Sequence, residues 1–190
     1  IIGLHSIFGP GVGFCLKKLL RGGIIMMGIR LSIYNVLVIG AWGIPIVILC
    51  ILVGLIVTTY FTRLLKLPER LGTLIAVGTR ICGASAIVAT APGIEAKEEE
   101  VSYAIANITI FGIVAMFLYP YLGQVLFPAS QTSAGLFLGT AIHETAQVAG
   151  SGLIYAELFD APAALDAATI TKLVRNVFMA FVIPYVAYAY

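Results

Sequence analysis

Between Val101 and Ile142 the chain carries no Asp, Glu, Lys, Arg or His, and the next two residues are His143 and Glu144. A pair reached through so long an uncharged run is not a surface loop that happens to be polar. Ionisable groups at membrane depth are costly, and they usually face a cavity, a partner or a transported ion. A second interruption of the same kind is Thr79-Arg80-Ile81-Cys82-Gly83-Ala84-Ser85. The fold must therefore place two polar breaks inside membrane-grade sequence and find partners for the backbone groups they free, because lipid supplies none.

The rest of the composition agrees. Of 190 residues, 61% are hydrophobic and 11% charged, whereas a water-soluble domain has about 25% charged residues. The expected fold class is an all-α polytopic membrane protein, multi-pass in a cell membrane. A net charge of +2 is too small to point to nucleic acid, and the basic residues read better as topology determinants. Cys15, Cys50 and Cys82 are far apart in apolar contexts and make neither a metal-spaced set nor a disulfide framework. No cofactor is implied. The chain has no cleavable signal pattern and no initiator Met, and it stops in apolar sequence at both ends. It reads as one transmembrane domain over 1–190, an internal piece of a longer transporter.

A spanning helix needs about 20 apolar residues. Residues 31–62 form an uncharged run, so a span over 36–61 is expected, with Pro45 inside it. A second covers 101–127, with Pro120 near its far end. A third covers 170–190, with Lys172 and Arg175 in its first turns and Pro184 further on. The glycine-rich 19–31, flanked by Arg21 and Arg30, reads as the end of a span that begins nearer Phe8. Segments 71–94 and 133–155 carry the two interruptions, which brings the total to about six membrane segments. Each of these two is long enough to cross once as a broken helix, or to dip in and return as a hairpin. If both cross, the one helix between them makes them parallel. If both are re-entrant, it puts them on opposite faces with their tips meeting near the midplane, as in inverted-repeat transporters. Two crossings place Lys17, Lys18 and Arg21 on the same side as Arg63, Lys66 and Arg70, the cytoplasmic one by the positive-inside tendency. The two-hairpin arrangement then leaves the 128–132 turn and an acidic 157–166 loop outside, and it is the preferred one.

Half-helix N-termini offer unpaired N–H groups and partial positive charge to an anion, and C-terminal carbonyls offer the reverse to a cation. Gly83, Ala84 and Ser85 would let a ligand approach the backbone, Cys82 lies in the same break, and Arg80 adds a fixed charge. Together they form a candidate anion-binding set, against the plainer reading of a small-residue packing patch. On a continuous helix Thr140, His143, Glu144 and Gln147 would share a face. Glu144 could carry a coupling proton, or coordinate sodium with Thr140, Gln147 and freed carbonyls. His143, titrating near neutrality when unperturbed, would tune it. The plainer reading is a buried structural pair.

The stretch from His143 to Gln147 is also HExxH with the second His replaced by Gln. Zincins need that imidazole and the only other His is His5, so a zinc enzyme is not expected. Arg30 and Arg175 read first as boundary anchors, and either could instead pair with Glu144 or contribute to an anion path. Asn107 reads as an interhelical hydrogen-bonding residue, and the glutamates at 98–100 as a solvated helix start.

Taken in order, Lys18-Leu19-Leu20-Arg21-Gly22-Gly23-Ile24, Ile81-Cys82-Gly83-Ala84-Ser85-Ala86, Ala96-Lys97-Glu98-Glu99-Glu100-Val101, Phe111-Gly112, Phe117-Leu118-Tyr119-Pro120, His143-Glu144-Thr145-Ala146-Gln147-Val148-Ala149 and Lys172-Leu173-Val174-Arg175 make a succession that resembles the bacterial YeiH-type family of inner-membrane proteins, which carries a sulfate-exporter label. The resemblance covers nearly the whole chain. It implies a transporter related in fold to the cation–proton antiporter and anion-transporter group, with inverted repeats and further helices on either side. It carries over Cys82, Gly83, Ser85, His143, Glu144 and Gln147 as pathway residues. The family pattern has a small residue where this chain has Arg80, so Arg80 is not carried over.

The expected function is secondary transport of a small anion, sulfate or an organic sulfonate, coupled to H+ or Na+, with Glu144 as the coupling acid. The partners are that anion, the coupling ion and the bilayer, and a homo-oligomer is among the assemblies open to the chain. An anion channel and a non-transporting subunit of a larger membrane complex are the alternatives.

Overall fold

A computed structural model of the chain describes residues 33–189 throughout and, before them, only Phe14, Lys18, Gly22 and Met26. The expectations placed on the glycine-rich segment 19–31, and on His5, Cys15, Lys17, Arg21 and Arg30, lie outside the described residues. The chain divides into two units, Ile1–Leu37 and Val38–Tyr190. Both interruptions and the helices that hold them belong to the second.

The described residues form α1 (Ile33–Leu64), α2 (Glu69–Arg80), α3 (Ala84–Thr90) followed by one 3-10 turn (Ala91–Ile94), α4 (Glu98–Leu126), α5 (Gln131–Ala141), α6 (Thr145–Leu158), α7 (Pro162–Val177) and α8 (Met179–Ala189). Among them there is no strand. Three stretches of the described residues are long and apolar enough to cross a membrane: Leu37–Leu64, Glu98–Leu126 and Pro162–Tyr188, the last made by α7 and α8 in series. At about 1.5 Å per residue α4 extends about 43 Å, more than a hydrocarbon core of about 30 Å requires. Trp42, Leu49 and Ile56 on α1, and Ile110, Phe117 and Val125 on α4, are exposed. Such faces suit lipid and would be a liability in water.

Both interrupted segments fold back on themselves. In the first, α2 and α3 are antiparallel neighbours: Gly78 faces Ile87, and Arg70 at the start of α2 lies 3.8 Å from Glu95 just after the 3-10 turn. Leu74, Ile87, Ala91 and Ile94 bury together with Ala104 and Ile108 of α4, which fixes this hairpin to the N-terminal half of α4. In the second, Gly123 of α4 meets Ala134 and Phe137 of α5 as well as Tyr155 of α6, whereas Gly112 meets Gln147 at the start of α6. Helix α5 thus descends α4 from its C-terminal end, and α6 climbs back to that end.

The register on α7 agrees. Gly135 and Gly139 of α5 lie against Ala164, Ala167, Ala168 and Thr171 in parallel, while Thr145 and Gly152 of α6 meet Asn176 and Leu165 in antiparallel order. The Gly135-x-x-x-Gly139 spacing lets two backbones approach closely, the usual basis of tight helix contacts in membranes. The two hairpins therefore enter from opposite ends of α4, and the preferred two-hairpin arrangement is the one formed.

The third span begins earlier than expected. Pro162 sits at the first helical turn and α7 continues to Val177. The supposed 157–166 loop shrinks to the turn at 159–161, where Asp160 has φ 49°, and Asp166 is on the helix. The sequence hides residues 162–169 because Glu157, Asp160 and Asp166 make the stretch read as an acidic loop, whereas its alanines pack closely on α5.

Candidate functional site

The hairpins meet tip to tip. Helix α2 ends at Arg80, and Gly83, with φ 68° and ψ −128°, turns the chain into α3. L-residues avoid that region, which glycine enters freely. A Cβ at Gly83 would also lie 2.7 Å from Oε1 of Glu144. That oxygen accepts the backbone N–H of Ala84 at 2.9 Å. On the other side α5 ends at Ala141 and α6 begins at Thr145, with Ile142 and Glu144 extended between them. The breaks span 81–83 and 142–144, narrower than the sequence suggests.

Two buried cations on α7 hold the tips together. Lys172 is 1% exposed, and its ammonium donates to the carbonyls of Ile81 at 2.8 Å, Ile142 at 3.4 Å and His143. Three donors meet three acceptors, which fills the ammonium's capacity. Arg175, 3% exposed, donates from Nε to the Arg80 carbonyl at 2.7 Å and from Nη2 to that of Thr79 at 2.6 Å. Its Nη1 donates to Thr140 at 2.8 Å and Ile142 at 3.1 Å. The two residues are three apart and so share a face of α7. Their acceptors are the carbonyls left unpaired at the C-termini of α2 and α5, the negative ends of those helix dipoles. Burying two charges is expensive, and this dense set of charge-assisted bonds offsets the cost.

The candidate residues do not all converge. Because the helix is interrupted, Thr140 belongs to α5, Gln147 to α6, and His143 and Glu144 to neither, so the expected shared face does not form. The Thr140 hydroxyl returns to the Leu136 carbonyl at 2.8 Å. Gln147 donates to the Thr109 carbonyl of α4 at 3.3 Å. His143 gives its carbonyl to Lys172, and its Nδ1 is buried without a partner. The anion-binding set divides as well. Gly83 and Ala84 face Glu144, Cys82 is buried with its sulfur 3.3 Å from that of Met179, Ser85 is exposed, and the Arg80 side chain reaches α1 at Gly54. Asn107 is half-buried on α4 and takes no part in the bonds that join the tips.

Arg175 is a buried clamp and not a boundary anchor. Lys172 is the residue that sequence reasoning missed. Its signal was a second cation three residues before Arg175 in an uncharged neighbourhood, hidden when the span was taken to begin at 170.

These features define a polytopic membrane protein built around two opposed re-entrant hairpins. The chain matches the family model described as conserved hypothetical protein 698 over residues 1–190. It is 39% identical over 166 residues to a UPF0324 membrane protein of Streptococcus pneumoniae serotype 4, covering 87% of this chain and 49% of that protein. It is 36% identical over 172 residues to one of Streptococcus agalactiae serotype V, covering 90% and 51%. With one of Fusobacterium nucleatum it shares 35% over 170 residues, covering 89% and 49%. The chain belongs to this family, UPF0324, which is the YeiH-type family of its motifs. It spans about half the length of the curated relatives it matches. No solved structure matches it.

Proposed function

We propose that the chain forms the ion-handling core of a secondary transporter for a small anion, coupled to H+ or Na+. One observation carries the reading: at the meeting of the tips, the C-termini of α2 and α5 are neutralised by Lys172 and Arg175, whereas the N-termini of α3 and α6 have no such cap. Among the described residues one carboxylate meets these positive helix ends, that of Glu144 on the Ala84 N–H of α3. Opposed broken helices whose N-termini can receive an anion are the working parts of many secondary transporters.

In this reading Glu144 is the coupling acid. With its carboxylate on Ala84 it holds the first hairpin's N-terminus; when it takes a proton, or turns to sodium, that N-terminus is released to the substrate. Inorganic sulfate and organic sulfonates are the candidate cargoes. The test is counterflow of radiolabelled anion into proteoliposomes holding the full-length protein, with and without a pH or sodium gradient. Saturable, gradient-sensitive exchange that becomes gradient-insensitive in Glu144→Gln supports the assignment. Unsaturable conductance would favour a channel, and absent flux with intact folding would favour a subunit of a larger complex.

A further inference from the structure

The side chain of Arg80 leaves the tips and crosses to α1, where Gly54 makes room for it; a Cβ at Gly54 would collide with the guanidinium. Beside it lies an open groove of about 540 Å³ between α1 and α5, within the usual range for small-molecule clefts, with Leu49, Val53 and Val57 exposed along its α1 side. Leu49, Val53, Val57 and Phe137 give it apolar sides, the Cys50 thiol borders it as well, and among the described residues no Asp or Glu lines it. Nε of Arg80 is buried and has no partner. Thr140 also borders the groove, but its hydroxyl hydrogen is committed to the Leu136 carbonyl. Among the described residues, the strong donors that face this space are therefore those of one guanidinium.

A cation set among apolar side chains without a counter-charge is costly, and an anion removes the cost. The planar guanidinium grips a carboxylate, sulfonate or phosphate through two parallel bonds. An inorganic dianion would satisfy two of its oxygens there and press the others, with a remaining charge, against valine and leucine. A monoanion with a hydrocarbon body satisfies both halves of the groove.

We propose that this groove binds a small organic monoanion, its acidic head on Arg80 and its apolar body between α1 and α5. This site is distinct from the helix N-termini at the tips, and it selects an organic anion over inorganic sulfate. A membrane phospholipid presents similar chemistry, and the test separates the two sources.

The experiment is calorimetric titration of the purified full-length protein in uncharged detergent with benzenesulfonate, methanesulfonate and sulfate at matched ionic strength. Benzenesulfonate is expected to bind at least about tenfold tighter than sulfate, and Arg80→Gln to abolish that binding. Val57→Phe, which fills the apolar part and leaves Arg80 in place, should weaken benzenesulfonate and spare methanesulfonate; it decides the matter if Arg80→Gln does not fold. Equal affinity for sulfate and benzenesulfonate, or binding unaffected by both substitutions, overturns the proposal. So does benzenesulfonate binding only after phosphatidylglycerol is stripped and being blocked by its return, since lipid is then the occupant. Sulfate counterflow without benzenesulfonate binding would sink this inference alone. Benzenesulfonate binding at Arg80 without flux of any anion would sink the transporter reading alone.

Discussion

The backbone N–H of Ala84 donates to Oε1 of Glu144 at 2.9 Å, so residues 60 apart in sequence tie the tip of one hairpin to the tip of the other. An amide oxygen can accept the same bond. Glu144→Gln is therefore expected to keep stability within about 1 kcal/mol of the parent while losing ion coupling. Thermal unfolding together with gradient-driven counterflow checks both halves. A strongly destabilised Glu144→Gln would mean that the charge is structural.

Gly83→Ala meets two obstacles at once, a left-handed backbone (φ 68°) and the Glu144 carboxylate 2.7 Å from the new Cβ. Strain of this kind costs about 1–3 kcal/mol, and the Ala84–Glu144 bond should part. The variant is expected to unfold at lower temperature and to transport poorly, unlike Glu144→Gln. Near-parental melting would show that the tip relaxes more easily than its geometry implies.

Lys172→Met removes the ammonium and leaves the carbonyls of Ile81 and His143 without their donor, while that of Ile142 keeps Arg175. Each unsatisfied buried group costs about 1–3 kcal/mol, so a loss on the order of 3 kcal/mol or more is expected. Arg175→Lys should be milder but still damaging, because one ammonium cannot span the carbonyls of Thr79, Arg80, Thr140 and Ile142 as the guanidinium fork does. Unfolding in detergent, or failure to accumulate in the membrane, is the readout.

Tyr155→Phe deletes a hydrogen bond of 2.7 Å to Gln124 far from the tips. A loss of about 1 kcal/mol is expected with counterflow unchanged. Impaired flux in this variant would place function at the outer end of α6 as well.

Re-entrant hairpins fix which turns share a side. In a cysteine-free full-length background, single cysteines at Lys66 and Glu95 should react with an impermeant reagent from one face, and those at Ser130 and Asp160 from the other. Broken crossing helices would instead separate Lys66 from Glu95. Opposite-face labelling of that pair refutes the hairpin fold.

Much of this was legible in the residues themselves. Uncharged runs set the spans, and Gly83, His143 and Glu144 marked the breaks, because membrane-depth polarity and a glycine in apolar sequence are local signals. The glutamates at 98–100 marked the start of α4, where Glu100 accepts the N–H of Lys97 at 2.8 Å. Other features depend on neighbours that the sequence keeps distant. Whether a broken segment crosses or returns is decided by Gly135 and Gly139 packing on the alanines of α7, and by Gly78 packing on Ile87. Lys172 and Arg175 could have been anchors at a membrane surface. They became clamps because the folded hairpins deliver carbonyls from residues 79–81 and 140–143 to one face of α7. Arg80 shows the same division: its charge is fixed by the sequence, while its separation from the tip and its place in an apolar groove come from the approach of Gly54. The sequence by itself determined the membrane class, the spans over α1 and α4 and the positions of the breaks, since these rest on hydropathy and local backbone preference. Only the tertiary structure decided which cations meet which carbonyls, because a buried charge takes its role from the groups that packing brings within hydrogen-bond reach.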